Sequence, residues 1–397
     1  MISKLIGSIL LIVGTCVGAG MLALPIATAQ LGFVGSIILL VAVWAIMTAG
    51  AFYILEVNLW LPLNSNLISM ARATIGPVGQ LIAWVNVLLL LYSLLCAYIA
   101  GGSGLLQNIL SSAGLELPEW LTSLLFTLVF GFVCWLGMHA VDYTNRVLMF
   151  VKFGGFFLLI ILLTPFVQAD KLLAGNMMNI TSAVAVMVTI TSFGYAAIVP
   201  SLRIYFAGDV KSLKLAILIG SLVPLICYIL WDMVIMGVIP LEGTQGLAAI
   251  LNSSNSTSDL ANTLSATASR ESITFFTKLF TSIAVVTSFL GVSLTLSDFL
   301  ADGCRLDKIG SGKNIIYALT FLPPVCIVLL KPDIFVKALE YAGIYCVVLL
   351  MLLPAWMAWT GRYHRHLRGG FTVPGGKPLL VIVLLISGVL LAQSIFG

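Results

Sequence analysis

Apolar positions in this chain come in long unbroken runs, without the polar stripe every three or four residues that a half-buried helix shows. A helix crosses a bilayer with roughly 20 mostly apolar residues. Eleven stretches reach that length: 3–29, 33–59, 80–110, 119–139, 146–167, 180–205, 213–239, 274–301, 313–330, 334–359 and 378–396. The pattern therefore predicts an all-α protein with eleven transmembrane helices and short loops. The longest polar interval, 241–273, contains NSSNSTSDLANTLSATASRE and is expected to form a loop with short amphipathic helices. Only Lys4 precedes the first run, and no convincing small-residue cleavage site follows, so it is read as a first span and not a removed signal.

Composition sharpens this picture. Of 397 residues 60% are hydrophobic and 9% are charged, against about 25% charged in a soluble domain, and mean hydropathy is +1.14. An ordinary soluble fold and a disordered chain are both excluded, and residues 1–397 read as one transmembrane domain. A net charge of +4 with no Lys/Arg run argues against nucleic-acid binding. The seven cysteines form no C-x-x-C pair and have no histidine at zinc spacing, so they read as small apolar packers, with no metal or cofactor expected.

The basic residues report orientation, because Lys and Arg are retained in cytoplasmic loops. With the amino terminus inside, thirteen lie in inner segments (Lys4, Arg72, Arg146, Arg203, Lys211, Lys214, Arg305, Lys308, Lys313, Arg362, Arg365, Arg368, Lys377) and five lie outside (Lys171, Arg270, Lys278, Lys331, Lys337). Lys152 falls within a span. The expected topology is a cytoplasmic amino terminus and, for an odd span count, an external carboxyl terminus.

Two spans are interrupted. The first contains Gly14-Thr15-Cys16-Val17-Gly18-Ala19-Gly20 ahead of Pro25, and Gly weakens a helix by about 1 kcal/mol relative to Ala. Alone, this stretch fits close helix packing through Gly14 and Gly18 equally well. The sixth span reads Thr191-Ser192-Phe193-Gly194-Tyr195 ahead of Pro200. Spans one and six open two five-span halves, 1–168 and 180–360, with 361–397 supplying a last helix and its preceding inner loop. Five is odd, so the halves take opposite orientations, as an inverted repeat requires. Paired breaks in equivalent positions point to a transporter binding site. Unwound backbone is tolerated at membrane depth only where its N–H and C=O groups meet water, protein or ligand. Half-helix N-termini suit a carboxylate and freed carbonyls suit an ammonium, so a zwitterionic amino acid matches both.

At these residues the chain resembles a known family. GTCVGAGMLALP (14–25), LEV (55–57), TSFGYAAIVPS (191–201), TSFLGVSLTLSDFLAD (287–302), FLPP (321–324) and ALEYAG (338–343) are similar, in order and over essentially the whole chain, to the bacterial hydroxy/aromatic amino acid permeases, the tyrosine-specific branch being nearest. The resemblance implies the amino acid-polyamine-cation superfamily and a leucine-transporter-type fold of five plus five helices plus one. It implies proton-driven import of an aromatic amino acid, L-tyrosine first, across the inner membrane by alternating access. Sodium coupling and serine or tryptophan selectivity stay open within the same fold. Asp232 and Glu340 fall outside the family pattern, so their roles are open.

By this resemblance Gly14 through Gly20 wrap the substrate, Thr15 and Gly18 included, with the Ala19 and Gly20 amides on its carboxylate and the Cys16 carbonyl on its ammonium. Ser192, Phe193 and Gly194 form the opposing wall. Phe193 or Tyr195 would stack on an aromatic side chain, plain helix packing being the other account. Asn86, Tyr92 and Tyr98 are spaced six apart and cannot all face one pocket; Tyr92 is the candidate.

An ionisable group at mid-span costs about 2.5–3.5 kcal/mol on insertion scales and is a functional candidate by default. Lys152 stands six residues past Arg146, about 9 Å along a helix, and is followed by Phe153-Gly154-Gly155. It either snorkels to the surface or works in place. In the implied fold, sodium-coupled relatives hold an ion between spans one and eight, and some proton-coupled relatives put a lysine there. Lys152 would then approach carbonyls near Gly14 and Val17 and the hydroxyls of Thr287 and Ser288, exchanging a proton where others bind sodium. Glu56, near the inner end of span two, is expected in an interfacial ion pair or a helix contact and not in transport. A membrane-embedded enzyme would need acids, His or Cys clustered at one depth, and a channel would need a repeated filter or charged ring. The sequence offers neither. The expected partners are an aromatic amino acid, protons and the lipid bilayer, with oligomeric state left open.

Overall fold

Among the described residues, 2–206, 209–253, 255–268 and 271–396 of a computed structural model, the chain is helical and holds no strand. Arg270, counted above on the outer side, lies outside them. The helices are α1 (Ile2–Cys16), α2 (Ala19–Thr28), α3 (Gly32–Leu59), α4 (Leu67–Thr74), α5 (Pro77–Ser112), α6 (Glu119–Leu136), α7 (Met138–Leu163), α8 (Ala169–Leu172), α9 (Ala183–Ser192), α10 (Val199–Tyr205), α11 (Val210–Val238), α12 (Leu247–Leu251), α13 (Ser256–Ala268), α14 (Glu271–Cys304), α15 (Gly310–Leu330), α16 (Phe335–Cys346), α17 (Leu353–Tyr363) and α18 (Gly376–Phe396). The polar interval after α11 does carry two short helices, α12 and α13.

Ten helical runs among the described residues are long and apolar enough to cross a membrane. The first expected span is not one of them, because it is cut into α1 and α2, each shorter than a bilayer. Instead α2 runs on into α3 as Ala19–Leu59, 41 residues, which would be about 60 Å if straight against a hydrocarbon core of about 30 Å. Partners on α11 show that this run folds back. Cys16 and Thr28 lie beside Tyr228 and Asp232, so α1 and α2 advance with α11. Ser36 and Trp44 lie beside Asp232 and Ser221, so α3 runs against it. The reversal falls at Gly32, whose φ of +72° is open to glycine, and the Ala174 carbonyl lies only 2.7 Å from where a Cβ would stand.

Small residues let the spans close on each other. Gly50 of α3 abuts the Leu350 carbonyl and Gly343 of α16 abuts the Met187 carbonyl of α9, both too near for any side chain. Leu350 lies in a π-helical segment, Val347–Leu352, which joins α16 to α17. Around this centre α14 packs on α5 and α7, and α11 packs on α1 and α3.

Polar contacts gather at two ends of the bundle. At one, Glu56 takes a two-pronged bond from Arg362 (2.7 and 2.5 Å) and the Val373 N–H (2.7 Å). Arg203 of α10 caps α3 there through the Asn58 and Leu61 carbonyls, and Lys4 reaches the Tyr205 carbonyl. At the other end Lys171 bonds the Val238 carbonyl and Lys278 bonds Ser112. Of the two expectations for Glu56 the structure shows the ion pair, and it is buried, with Glu56 at 0% exposure.

Candidate functional site at two helix breaks

Between α1 and α2 only Val17 and Gly18 leave the helix, and Gly18 is extended at φ −152°, ψ −153°. Extended backbone suits any residue, so the glycine is needed here for space. A Cβ on Gly18 would fall on the Ser288 hydroxyl, and one on Gly20 would press on Ser192 Oγ at 3.2 Å. The groups that the break frees are then met by side chains from three other helices. Lys152 of α7, 1% exposed, puts Nζ 2.6 Å from the Val17 carbonyl and 3.4 Å from Thr287 Oγ1. Ser288 of α14 accepts the Ala19 N–H at 3.0 Å. The Tyr228 hydroxyl of α11 lies 2.8 Å from the Cys16 carbonyl and 2.7 Å from the Ser192 carbonyl, joining the two breaks with one proton.

The second break is built differently. After Ser192 the chain tightens into a 3-10 turn over Gly194–Ile198, and Pro200, lacking an N–H, opens α10. Phe193 is fully buried and its ring meets Tyr228 edge-on at 5.1 Å. Tyr195, also buried, shares a 3.0 Å hydrogen bond with Thr48 of α3.

Several expected positions are corrected by this geometry. A side chain on Gly14 would meet Met149, and the Lys152 ammonium goes to the Val17 carbonyl and Thr287. Ser288 serves the Ala19 amide instead of the ammonium, so that amide is engaged by protein in this conformation. The Cys16 carbonyl is likewise engaged, by Tyr228. Thr15 is exposed and turns its hydroxyl back onto Ile12 at 2.7 Å. Tyr92 bonds the Leu319 carbonyl on α15, while Tyr98, about a third of a turn around α5 from it, is the buried tyrosine that meets Ser288. Six residues at 100° each rotate the side chain by 240°, which puts the two on different faces. Lys152, Val17 and Thr287 do come together, as do Ser192, Phe193 and Gly20. Tyr228 was not anticipated; a tyrosine inside an apolar span carries no mark of a partner far away in sequence.

Helices long enough for a multi-pass protein, two of them broken side by side with a lysine on the freed backbone, have the form of a secondary transporter. Comparison with known proteins names the group: the chain belongs to the tryptophan/tyrosine permease family, whose pattern matches residues 1–393. It is 34% identical to tyrosine-specific transport system 1 of Haemophilus influenzae over 100% of this chain and 97% of that protein. It is 34% identical to a tryptophan-specific transport protein of Pseudomonas aeruginosa, covering 96% and 92% of the two. Glutamine transporter 2 of Aliivibrio fischeri is 32% identical over 99% of each. The chain is therefore a multi-pass amino acid permease and not an enzyme.

Proposed function

We propose that this permease is a proton-coupled symporter that imports an aromatic amino acid, L-tyrosine first, across the bacterial inner membrane. The observation that carries the reading is Lys152 Nζ on the Val17 carbonyl inside the first break. An ammonium there does the electrostatic work of a bound cation, holding a carbonyl that the helix has abandoned. When the proton leaves, that hold weakens and α1 is free to move relative to α2. The substrate would enter between the breaks, its carboxylate toward the α2 N-terminus and its ammonium toward the Cys16 and Ser192 carbonyls, displacing Ser288 and Tyr228 from groups they occupy in this conformation. Tyr228 and Ser288 thus act as stand-ins for substrate, and Phe193 is the ring nearest that space. Two inverted five-helix halves, with the end carrying Lys4, Arg203 and Arg362 in the cytoplasm, complete the reading.

Support for tyrosine comes from the name of the Haemophilus relative; the tryptophan and glutamine names of relatives matched over 92% or more of their length define the competitors. The test is uptake into liposomes with separately imposed proton and sodium gradients and labelled tyrosine, tryptophan, phenylalanine, serine and glutamine. Accumulation of tyrosine on a proton gradient alone is expected. Dependence on sodium alone, or displacement of tyrosine by serine or glutamine as well as by tryptophan, overturns the assignment.

A further inference from the structure

Asp232 of α11 is 0% exposed and takes no part in the site described above. Its Oδ2 lies against the Ser36 hydroxyl of α3 and 3.3 Å from Thr28 Oγ1 of α2, while Oδ1 is buried without a partner. Among the described residues no cation pairs with it. Lys171 on α8 is spent on the Val238 carbonyl, Lys278 on α14 reaches Ser112, Asp259 on α13 holds Ser253, and Glu242 and Glu271 face solvent. No ionisable residue lies in α2, and the one acid of α3, Glu56, is bound to Arg362 at the other end. One turn along α7 from Lys152, Phe156 packs with Trp231, the neighbour of Asp232 on α11, and with Phe280 of α14 in a buried layer of three rings with centroids 5.3–6.2 Å apart.

The protons of this cluster can be counted. Thr28 has one hydroxyl hydrogen, and its nearer acceptor is the Leu24 carbonyl one turn back at 2.8 Å, with Asp232 Oδ2 at 3.3 Å. Ser36 Oγ lies 3.2 Å from Thr28 Oγ1. If Asp232 is ionised, Ser36 donates to it, Thr28 divides its one hydrogen between the Leu24 carbonyl and the carboxylate, and the Ser36–Thr28 contact is left with no hydrogen. A proton on Oδ2 puts a hydrogen on the Ser36–Thr28 line and leaves only the longer Thr28–Oδ2 approach without one. Asp232 donates to Ser36, Ser36 to Thr28, and Thr28 to Leu24, so each hydroxyl gives once and receives once. A neutral acid also leaves only a carbonyl-type oxygen unpaired, where an ionised group buried without a counter-charge neutralises instead.

We propose that Asp232 is a second proton-binding site, loaded in this conformation and separated from Lys152 by the aromatic layer. Passed through Ser36, its proton ties the last residue of α2 to α3 and α11, while Ser288 holds the first residue of α2 at the break. Loss of that proton would put an uncompensated charge at the α2–α3 reversal and favour its opening to water. The protonation stands on the cluster alone; its role in transport rests on the symport reading.

Infrared spectroscopy of the purified full chain at neutral pH, without substrate, tests the first part. A protonated-carboxyl band is expected, absent in Asp232→Asn and shifted in Ser36→Ala because the acid loses its acceptor. A band that is missing in the unaltered protein, survives in Asp232→Asn, or stays in place in Ser36→Ala overturns the assignment. Asparagine keeps the shape and the donor, so folding is preserved, and melting in detergent verifies it. For the second part, Asp232→Asn in liposomes should transport with a flattened dependence on pH at the face where α2 turns into α3; an unchanged profile overturns its part in the cycle. The infrared result holds whatever the cargo is, whereas failure of the unaltered protein to accumulate tyrosine on a proton gradient counts against the symport reading alone.

Discussion

The two breaks share a sequence signature, small and polar residues with a glycine ahead of a proline, yet they resolve it in opposite ways. At Gly18 the backbone is extended, and α7, α11 and α14 each send a side chain to the groups around it. At Gly194–Ile198 the chain re-coils into a 3-10 turn with local backbone bonds, and Tyr228 meets the Ser192 carbonyl just before it. Side-chain partners can exchange with a ligand or lose a proton, and local backbone bonds cannot. The difference teaches that the groups able to change partners lie at the first break, where the proposed coupling would act, while the second is held mainly by its own turn. Their glycines say the same: Gly18 is held against Ser288, whereas a Cβ on Gly194 would meet only the Cys346 sulfur at an ordinary 3.8 Å.

The comparison breaks first at Lys152. Lys152→Ala should abolish proton-driven accumulation in liposomes, and Lys152→Arg should abolish it too, because guanidinium does not give up its proton. Exchange of substrate down its gradient is expected to persist in both. If the arginine variant accumulates tyrosine at the unaltered rate, the lysine merely snorkels and the first break loses its special role.

Glycine substitutions come next in size. Gly18→Val should eliminate tyrosine binding in protein that still inserts and stays monodisperse in detergent, since the new methyls occupy the place of the Ser288 hydroxyl and the approach to the Ala19 amide. Gly194→Ala should bind within a few-fold of the unaltered protein and cost less than about 1 kcal/mol of stability. Equal sensitivity at the two glycines, read by binding and melting together, would erase the distinction between an occupied and a self-satisfied break.

Tyr228→Phe takes the hydroxyl from two buried carbonyls, so melting should report a loss of about 1–3 kcal/mol. A neutral result would mean that the two breaks are not bridged. The smallest effect is expected for Tyr195→Phe, which removes one hydrogen bond to Thr48 and should cost about 1 kcal/mol with transport retained. Loss of tyrosine selectivity in that variant would return Tyr195 to the substrate pocket and give the second break chemistry of its own.

Much of this architecture was legible along the chain because a bilayer imposes a one-dimensional rule: a segment is long and apolar enough or it is not. The interrupted segments were legible for a similar reason. Gly18, Gly20 and Pro25 weaken helix locally, and so do Gly194 and Pro200, with no reference to what surrounds them. The meeting of Lys152 with Val17 and Thr287 followed from the family resemblance together with a charge where apolar residues were due. What misled was the count of partners. Tyr92 and Tyr98 are alike in type and neighbourhood, and only the rotation of α5 against α14 and α15 decides that Tyr98 meets Ser288 while Tyr92 bonds Leu319.

By itself the sequence determined the membrane class, most of the spans, the two places where helix would fail and the family. Only the tertiary structure decided who occupies the failures: Tyr228 on Cys16 and Ser192, Ser288 on Ala19, Thr48 on Tyr195, and Asp232 with Ser36 and Thr28 where the chain turns at Gly32. The physical reason is range. Helix propensity and hydropathy act over a few neighbouring residues, so they can be read in order; a freed carbonyl in a dry bundle takes whatever donor packing brings near, here one 212 residues away.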